Sequence, residues 1–182
     1  MTTFLASYVN SVDRKGRVSV PASFRAEMAS HARQTVVVYA APQVAASAEG
    51  NNNKGMYLYA WAYDDFVKLA ERIAQLPALS PTRQRLARTI LAAARPLNFD
   101  DTGRIQLPEA MMHRAGITDT VLFAGEGECF TIWEPAAFDA QLGADQAFAE
   151  QDLADLSEVW KKQDLDMAVH MGLKEMKARG GI

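Results

Sequence analysis

A single cysteine, Cys129, excludes an internal disulfide and fits a reducing compartment. The three histidines, His31, His113 and His170, lie far apart and without metal-ligand spacing, so each is read as a solvated or packing residue. Apolar runs are short: residues 35–41 form one of the longest, far below the length needed to span a bilayer. The N-terminus shows no charged start leading into an apolar stretch and a small-residue cleavage site, so the chain is expected to be cytoplasmic. Nothing assembles a nucleophile, a base and an oxyanion donor, and neither enzymatic activity nor a metal or cofactor is expected. An excess of positive charge is also missing, since the 182 residues carry a net charge of −3.

What is present is an ordinary globular composition, 49% hydrophobic and 23% charged, on a chain long enough for one substantial core or two small ones. The charge is unevenly placed. Residues 1–39 carry Arg14, Lys15, Arg17, Arg25 and Arg33 against Asp13 and Glu27, an excess of three positive charges. Residues 140–182 carry five basic and eight acidic side chains, an excess of three negative ones. The field at one face steers an anionic partner, so the whole-chain balance does not exclude a nucleic acid.

An internal repeat organises the sequence. Val12-Asp13-Arg14-Lys15-Gly16-Arg17-Val18-Ser19-Val20-Pro21 matches Phe99-Asp100-Asp101-Thr102-Gly103-Arg104-Ile105-Gln106-Leu107-Pro108 at a constant offset of 87 residues. In each copy the proline leads into a short predicted helix, with Pro21 or Pro108 in its first turn. A looser match sets Tyr57-Leu58-Tyr59-Ala60-Trp61 beside Phe130-Thr131-Ile132-Trp133 at an offset of 72, leaving 15 extra residues in the first half. They fall in the polar stretch 42–55, read as a loop insertion with no role of its own.

Each unit therefore reads as strand, turn, strand, short helix, strand, strand, helix. The expected division is a first repeat at 4–63, a helical connector at 64–95, a second repeat at 96–140 and a helical C-terminal extension at 141–182. In the connector, Phe66, Leu69, Ala70 and Ile73 recur at helical spacing over 64–76. Ser80-Pro81 then supplies an N-cap and a first-turn proline for a second helix over 82–94, with Leu86, Ile90 and Leu91 inward. The extension predicts one or two amphipathic helices, packed either on a neighbouring subunit or on the chain's own core.

Asp13-Arg14-Lys15-Gly16 has the signature of a type I turn, and Asp100-Asp101-Thr102-Gly103 repeats its first and last positions. The aspartate can accept a bond from a backbone N–H two residues on, and the glycine tolerates the left-handed conformation of a bulged hairpin. Arg14 and Lys15 then project from the tip, and Arg17 opens the returning strand. Three cations on a rigid tip suit a phosphate backbone, and an arginine fork also matches the acceptors of guanine. Two other readings stay open: a plain solvated turn, or an Asp13–Arg17 ion pair that is only structural. Arg104 weighs for function, because hairpin geometry alone does not require an arginine there.

The duplicated Asp-x-x-Gly-Arg, each copy followed by apolar-x-apolar-Pro, resembles the MraZ family of the AbrB/SpoVT-like swapped-hairpin group. The likeness takes in Phe4 to Tyr8, Asp13 to Pro21, Leu58 to Trp61, Arg83 to Arg88 and Val121 to Trp133, about residues 4–140 in all. It implies an α+β fold with two tandem swapped-hairpin AbrB-like β-barrel repeats, short helices and a helical tail. It also implies a nucleoid-associated repressor of a division and cell-wall gene cluster, binding direct repeats in promoter DNA as a ring-shaped homo-oligomer. The family's Asp-x-x-x-Arg signature maps to Asp13 and Arg17, and to Asp100 and Arg104. On that basis Arg14, Lys15, Arg17 and Arg104 are the expected DNA contacts, and Asp13, Gly16, Asp100 and Gly103 shape the turns. The second tip holds Asp101 and Thr102 where the first has Arg14 and Lys15, so the first hairpin is expected to dominate.

Other residues have plainer readings. Arg83, Arg85 and Arg88 are expected to bridge acidic residues, within or between subunits, rather than face DNA. Glu126 and Glu128 belong to a hairpin turn, and Cys129 to an apolar strand. The rival functions are an oligomeric scaffold that binds no DNA, and an enzyme built on Asp100 and Asp101.

Overall fold

Val18 and Ile105 sit at the centre of the two matching segments, and both are buried, at 0% and 1% exposure. Their burial depends on a fold in which the halves complete each other. In the computed structural model the described residues are 2–29, 34–41 and 57–178, with side chains described as far as 163. The 42–55 insertion, His31, Arg33 and the side chain of His170 lie outside them.

The first half comprises β1 (Ser7–Ser11), β2 (Arg17–Ser19), α1 (Ala22–Met28), β3 (Thr35–Ala40), β4 (Leu58–Ala62) and α2 (Tyr63–Ala74). A connector follows, with α3 (Pro81–Leu86) running into a π-helical turn (Ala87–Leu91). The second half comprises β5 (Arg95–Asn98), β6 (Arg104–Gln106), α4 (Glu109–Arg114), β7 (Thr120–Gly125), β8 (Phe130–Trp133) and α5 (Pro135–Gln146), and α6 (Ala149–Ala178) ends the chain. The chain forms two units, Met1–Gln141 and Leu142–Ile182. In the second, Phe148, Leu153, Leu156, Val159 and Trp160 are exposed apolar residues.

Six strands form one antiparallel sheet in the order β1-β7-β8-β4-β3-β5, and β2 pairs with β6 as a separate two-stranded ribbon. Interchanging the halves turns β1, β7 and β8 into β5, β3 and β4, so the order maps onto itself reversed. The first strand of each hairpin thus pairs with the other half's sheet, β1 with β7 and β5 with β3. The expected pair of β-barrels is not what forms. Among the described residues the sheet is open, with β1 and β5 at its edges, and mixed α+β is the fold class. The physical reason is size: a few short strands from one half would leave an apolar face uncovered, and sharing strands covers it.

The core is correspondingly joint. Phe4 and Phe24 of the first half and Phe123 and Phe130 of the second are all essentially inaccessible. Phe130 lies 5.0 Å from both Phe4 and Phe24 and 6.0 Å from Phe123, ring centre to ring centre, in tilted and edge-on arrangements favoured by the ring quadrupoles. Gly125 is needed where the N-terminal segment crosses β7. A Cβ there would stand 2.5 Å from the Phe4 carbonyl carbon, and Gly125 N–H donates to the Ala6 carbonyl at 2.9 Å.

The connector departs from its expected form. In place of one helix over 82–94, α3 gives way to a π turn, in which Ala92 N–H donates to the Ala87 carbonyl at 2.9 Å. Leu86, Ile90 and Leu91 are half-buried rather than inward. Ser80 precedes the helix but makes no side-chain cap bond. Pro21 and Pro108 likewise stand one residue before their helices, in extended conformation.

One aromatic core across both halves predicts one unfolding event for Met1–Gln141. Phe130→Ala is expected to cost about 3–5 kcal/mol in urea unfolding. It should speed amide exchange in β3 as much as in β7, and faster exchange confined to the second half would contradict the shared core.

Candidate nucleic-acid interface

Each Asp-x-x-Gly-Arg segment folds on itself through its aspartate. In the first, Gly16 N–H donates to the Asp13 carbonyl at 2.9 Å, closing a four-residue turn, and Asp13 N–H donates to the Arg17 carbonyl at 2.9 Å. Asp13 Oδ1 accepts the Lys15 and Arg17 N–H groups at 2.8 and 3.0 Å, and Oδ2 accepts Arg17 Nε at 2.7 Å. Arg17 Nη2 stands 2.7 Å from the same oxygen. The second turn repeats this scheme. Asp100 Oδ1 accepts the Thr102 and Arg104 N–H groups at 2.9 and 3.0 Å, Oδ2 accepts Arg104 Nε at 2.8 Å, and the Thr102 hydroxyl adds a bond of 2.7 Å. Gly16 and Gly103 both have φ of +76°, the left-handed conformation that side chains other than glycine's disfavour.

These donors favour the charged carboxylates. The Arg17 side chain and backbone hold the Asp13 carboxyl at about 2, below its ordinary 3.8. The Arg104 backbone N–H, the Thr102 hydroxyl and the Arg104 guanidinium hold Asp100 lower still. Asp100 is therefore occupied as a turn anchor rather than presented as half of a catalytic carboxylate pair.

The two turns are brought together by the ribbon. Arg17 lies opposite Gln106, Val18 opposite Ile105 and Ser19 opposite Arg104. Strand side chains alternate, so with Val18 and Ile105 facing the core, Arg17, Ser19, Arg104 and Gln106 share the outer face. Arg17 and Arg104 are diagonal neighbours across it, with Cα atoms about 7–8 Å apart. Their side chains are 37% and 36% exposed. Arg14 and Lys15 are exposed at the first tip, and Asp101 and Thr102 at the second.

Crosswise backbone bonds fix the ribbon to both turns. Leu107 N–H donates to the Gly16 carbonyl at 2.9 Å, and Val20 N–H to the Gly103 carbonyl at 3.2 Å. Gln106 Nε2 also donates to the Lys15 carbonyl at 3.1 Å, so the first tip is held from the second half. Sequence reasoning missed Ser19 and Gln106 as members of this face, although the apolar-polar alternation already set them on the side away from Val18 and Ile105. Arg17 and Arg104 carry a structural duty that sequence left open, each clamping the aspartate of its own turn.

Residues with plainer readings take other places. Arg83 Nη1 donates to the Leu76 carbonyl at 3.2 Å and Arg85 Nη2 to the Thr82 hydroxyl at 3.3 Å. Among the described residues no ion pair within the chain joins this helix to an acidic partner, and the expected bridge between subunits is not tested by a single chain. Glu126 closes the turn before Cys129, its N–H donating to the Cys129 carbonyl at 2.9 Å, and its Oε1 accepts the Thr131 hydroxyl at 2.7 Å. Burial pushes the Cys129 thiol up to about 12, which keeps it protonated at neutral pH. No cluster of three or more metal-ligating side chains occurs among the described residues, and no described helix is long and apolar enough to cross a membrane.

A family model described as "MraZ protein, putative antitoxin-like" matches residues 90–162. The chain is 38% identical over 136 residues to the transcriptional regulator MraZ of Pelagibacter ubique, covering 75% of this chain and 81% of the relative. It is 36% identical over 135 residues to that of Hyphomonas neptunium, covering 74% of each. With the Rickettsia rickettsii protein of the same name it shares 36% identity over 151 residues, 83% of this chain and 94% of the relative.

A carboxylate held below its ordinary range stabilises the fold above that range, and the contribution disappears as pH falls through the folded value. The first turn should therefore be intact at pH 4 and open as pH approaches about 2. The Lys15 and Arg17 amide resonances are expected to titrate with a midpoint near 2, and a midpoint near 3.8 would contradict the four-donor anchor.

Proposed function

The chain belongs to the MraZ family, and from that premise we propose that it is a transcriptional regulator holding double-stranded DNA on the outer face of the β2–β6 ribbon. The observation that carries this reading is the exposed pair Arg14 and Lys15 beside a ribbon face that also bears Arg17 and Arg104. A two-stranded ribbon fits the major groove, which is about 12 Å wide. There Arg14 and Lys15 meet phosphates, while Arg17 directs Nη1, the one nitrogen not engaged by Asp13, to base edges. Asp13 and Asp100 take no direct part and hold the arginines at fixed angles, with Gly16 and Gly103 closing the turns.

The crossed pairing of β1 with β7 and β5 with β3 supports the AbrB-like swapped-hairpin description. In this reading the repeats at 4–63 and 96–140 form one DNA-binding body, 64–95 connects them, and 141–182 is an extension. One ribbon reaches few phosphates and binds weakly by itself. A homo-oligomeric ring presenting identical ribbons at fixed spacing engages successive promoter direct repeats together, with a gain of about 10²–10⁴ in effective affinity. The family resemblance extends the proposal to repression of a division and cell-wall gene cluster, in the cytoplasm and at the nucleoid. The net charge of −3 is no obstacle, because the cations that matter are local to the ribbon.

Arg17→Ala is expected to abolish the gel shift of DNA from upstream of the protein's own gene while native mass and melting temperature are kept. Arg104→Ala should weaken the shift less, because the second tip has no lysine or arginine in its loop. Near wild-type binding by Arg17→Ala would overturn the proposal, and an equal or larger loss in Arg104→Ala would overturn the asymmetry.

A further inference from the structure

The two tips are built alike but charged differently. The first carries Arg14 and Lys15 at its centre, and the second carries Asp101 and Thr102. A second difference lies beneath them, at the glycine that closes each turn. Gly16 is covered by Met112 of the other half, whose Sδ would stand 3.2 Å from a Cβ at position 16. Gly103 is covered by Arg25, whose Cδ, Cζ and Nη1 would overlap a Cβ at position 103. Positions 25 and 112 are separated by the same 87 residues as the turns, so they are equivalent places in the two halves. Where the loop has cations a methionine lies beneath, and where it has none an arginine does.

Packing alone does not account for that arginine. A methionine fills the twin position without burying any charged group. Arg25 Nε, by contrast, is buried with no hydrogen-bond partner among the described residues, an arrangement that costs free energy. The described ion pairs are Arg17–Asp13, Lys68–Asp65 and Arg104–Asp100, and none of them involves Arg25. The residue as a whole is partly buried, with part of its surface still reached by solvent. A guanidinium kept against the second turn, without an ion-pair partner among the described residues and partly open to solvent, has the chemistry of an anion contact.

We propose that Arg25 is the phosphate-binding cation of the second tip, lent by α1 of the first half to the turn of the second. Its partner is a phosphodiester of duplex DNA, and this rests on the reading that the β2–β6 ribbon holds DNA. With Arg14 and Lys15 on one tip and Arg25 under the other, the ribbon is gripped at both ends, which sets its register on the duplex without reading sequence.

The test uses the full chain and a fluorescein-labelled duplex from upstream of its gene, titrated by anisotropy over a range of salt. Arg25→Met installs the residue of the twin position, so melting temperature should hold. Binding should weaken several-fold, with a salt dependence shallower by about one counterion. Arg25→Lys should keep the wild-type slope. Adding Thr102→Lys to Arg25→Met, which puts a lysine where Lys15 stands in the first tip, should restore it. Wild-type affinity and slope in Arg25→Met overturn the proposal, as does a loss that neither lysine variant repairs. Arg14→Ala/Lys15→Ala separates the two levels: if it weakens binding while Arg25→Met does not, only the role of Arg25 fails. If the wild-type chain shows no salt-dependent binding, the DNA reading falls with it.

Discussion

Two backbone hydrogen bonds, from Leu107 to Gly16 and from Val20 to Gly103, tie the hairpin of each half to the other. They run from the strand leaving one turn to the glycine closing the opposite turn, where the left-handed conformation aims the carbonyl across the ribbon. Without them β2 and β6 would be three-residue strands with little to hold them. With them, Val18 and Ile105 are pressed into a common core and four polar side chains are left in a row outside.

The aspartates extend the same constraint to the surface. Each gathers backbone donors from its turn and the guanidinium at the first position of the returning strand, so the arginine is fixed by the geometry that fixes the loop. Such exposed pairs contribute little to stability. Their effect is positional: two arginines on a rigid outer face meet a ligand with less conformational freedom to lose than two on mobile loops. The chemistry proposed for the ribbon is thus a consequence of how the two halves are locked.

Much of this was legible in the sequence because the duplication carried it. Asp13, Gly16, Asp100 and Gly103 have side-chain and conformational requirements that depend only on local chain geometry, so their pattern announces the turns. The crossing of strands between halves was not legible, since alternation in Val18-Ser19-Val20 states which face is apolar and says nothing about which strand lies alongside. For the same reason the expected barrels became one open sheet. The clamp between Arg17 and Asp13 was one of three open readings, because spacing permits an ion pair without requiring it. Arg25 was visible only as a charge, since its place beneath Gly103 exists only once the halves have crossed. The π turn at Ala87–Leu91 has no residue signal at all in a segment whose periodicity is that of an ordinary helix.

The central claim is that the outer face of the β2–β6 ribbon is the surface that meets DNA. Amide hydrogen exchange with and without duplex from the upstream region tests it directly. Residues 14–19 and 101–106 should gain protection while β4 and β8 keep their rates. Protection centred on α2 and α3, with the ribbon unchanged, would contradict it.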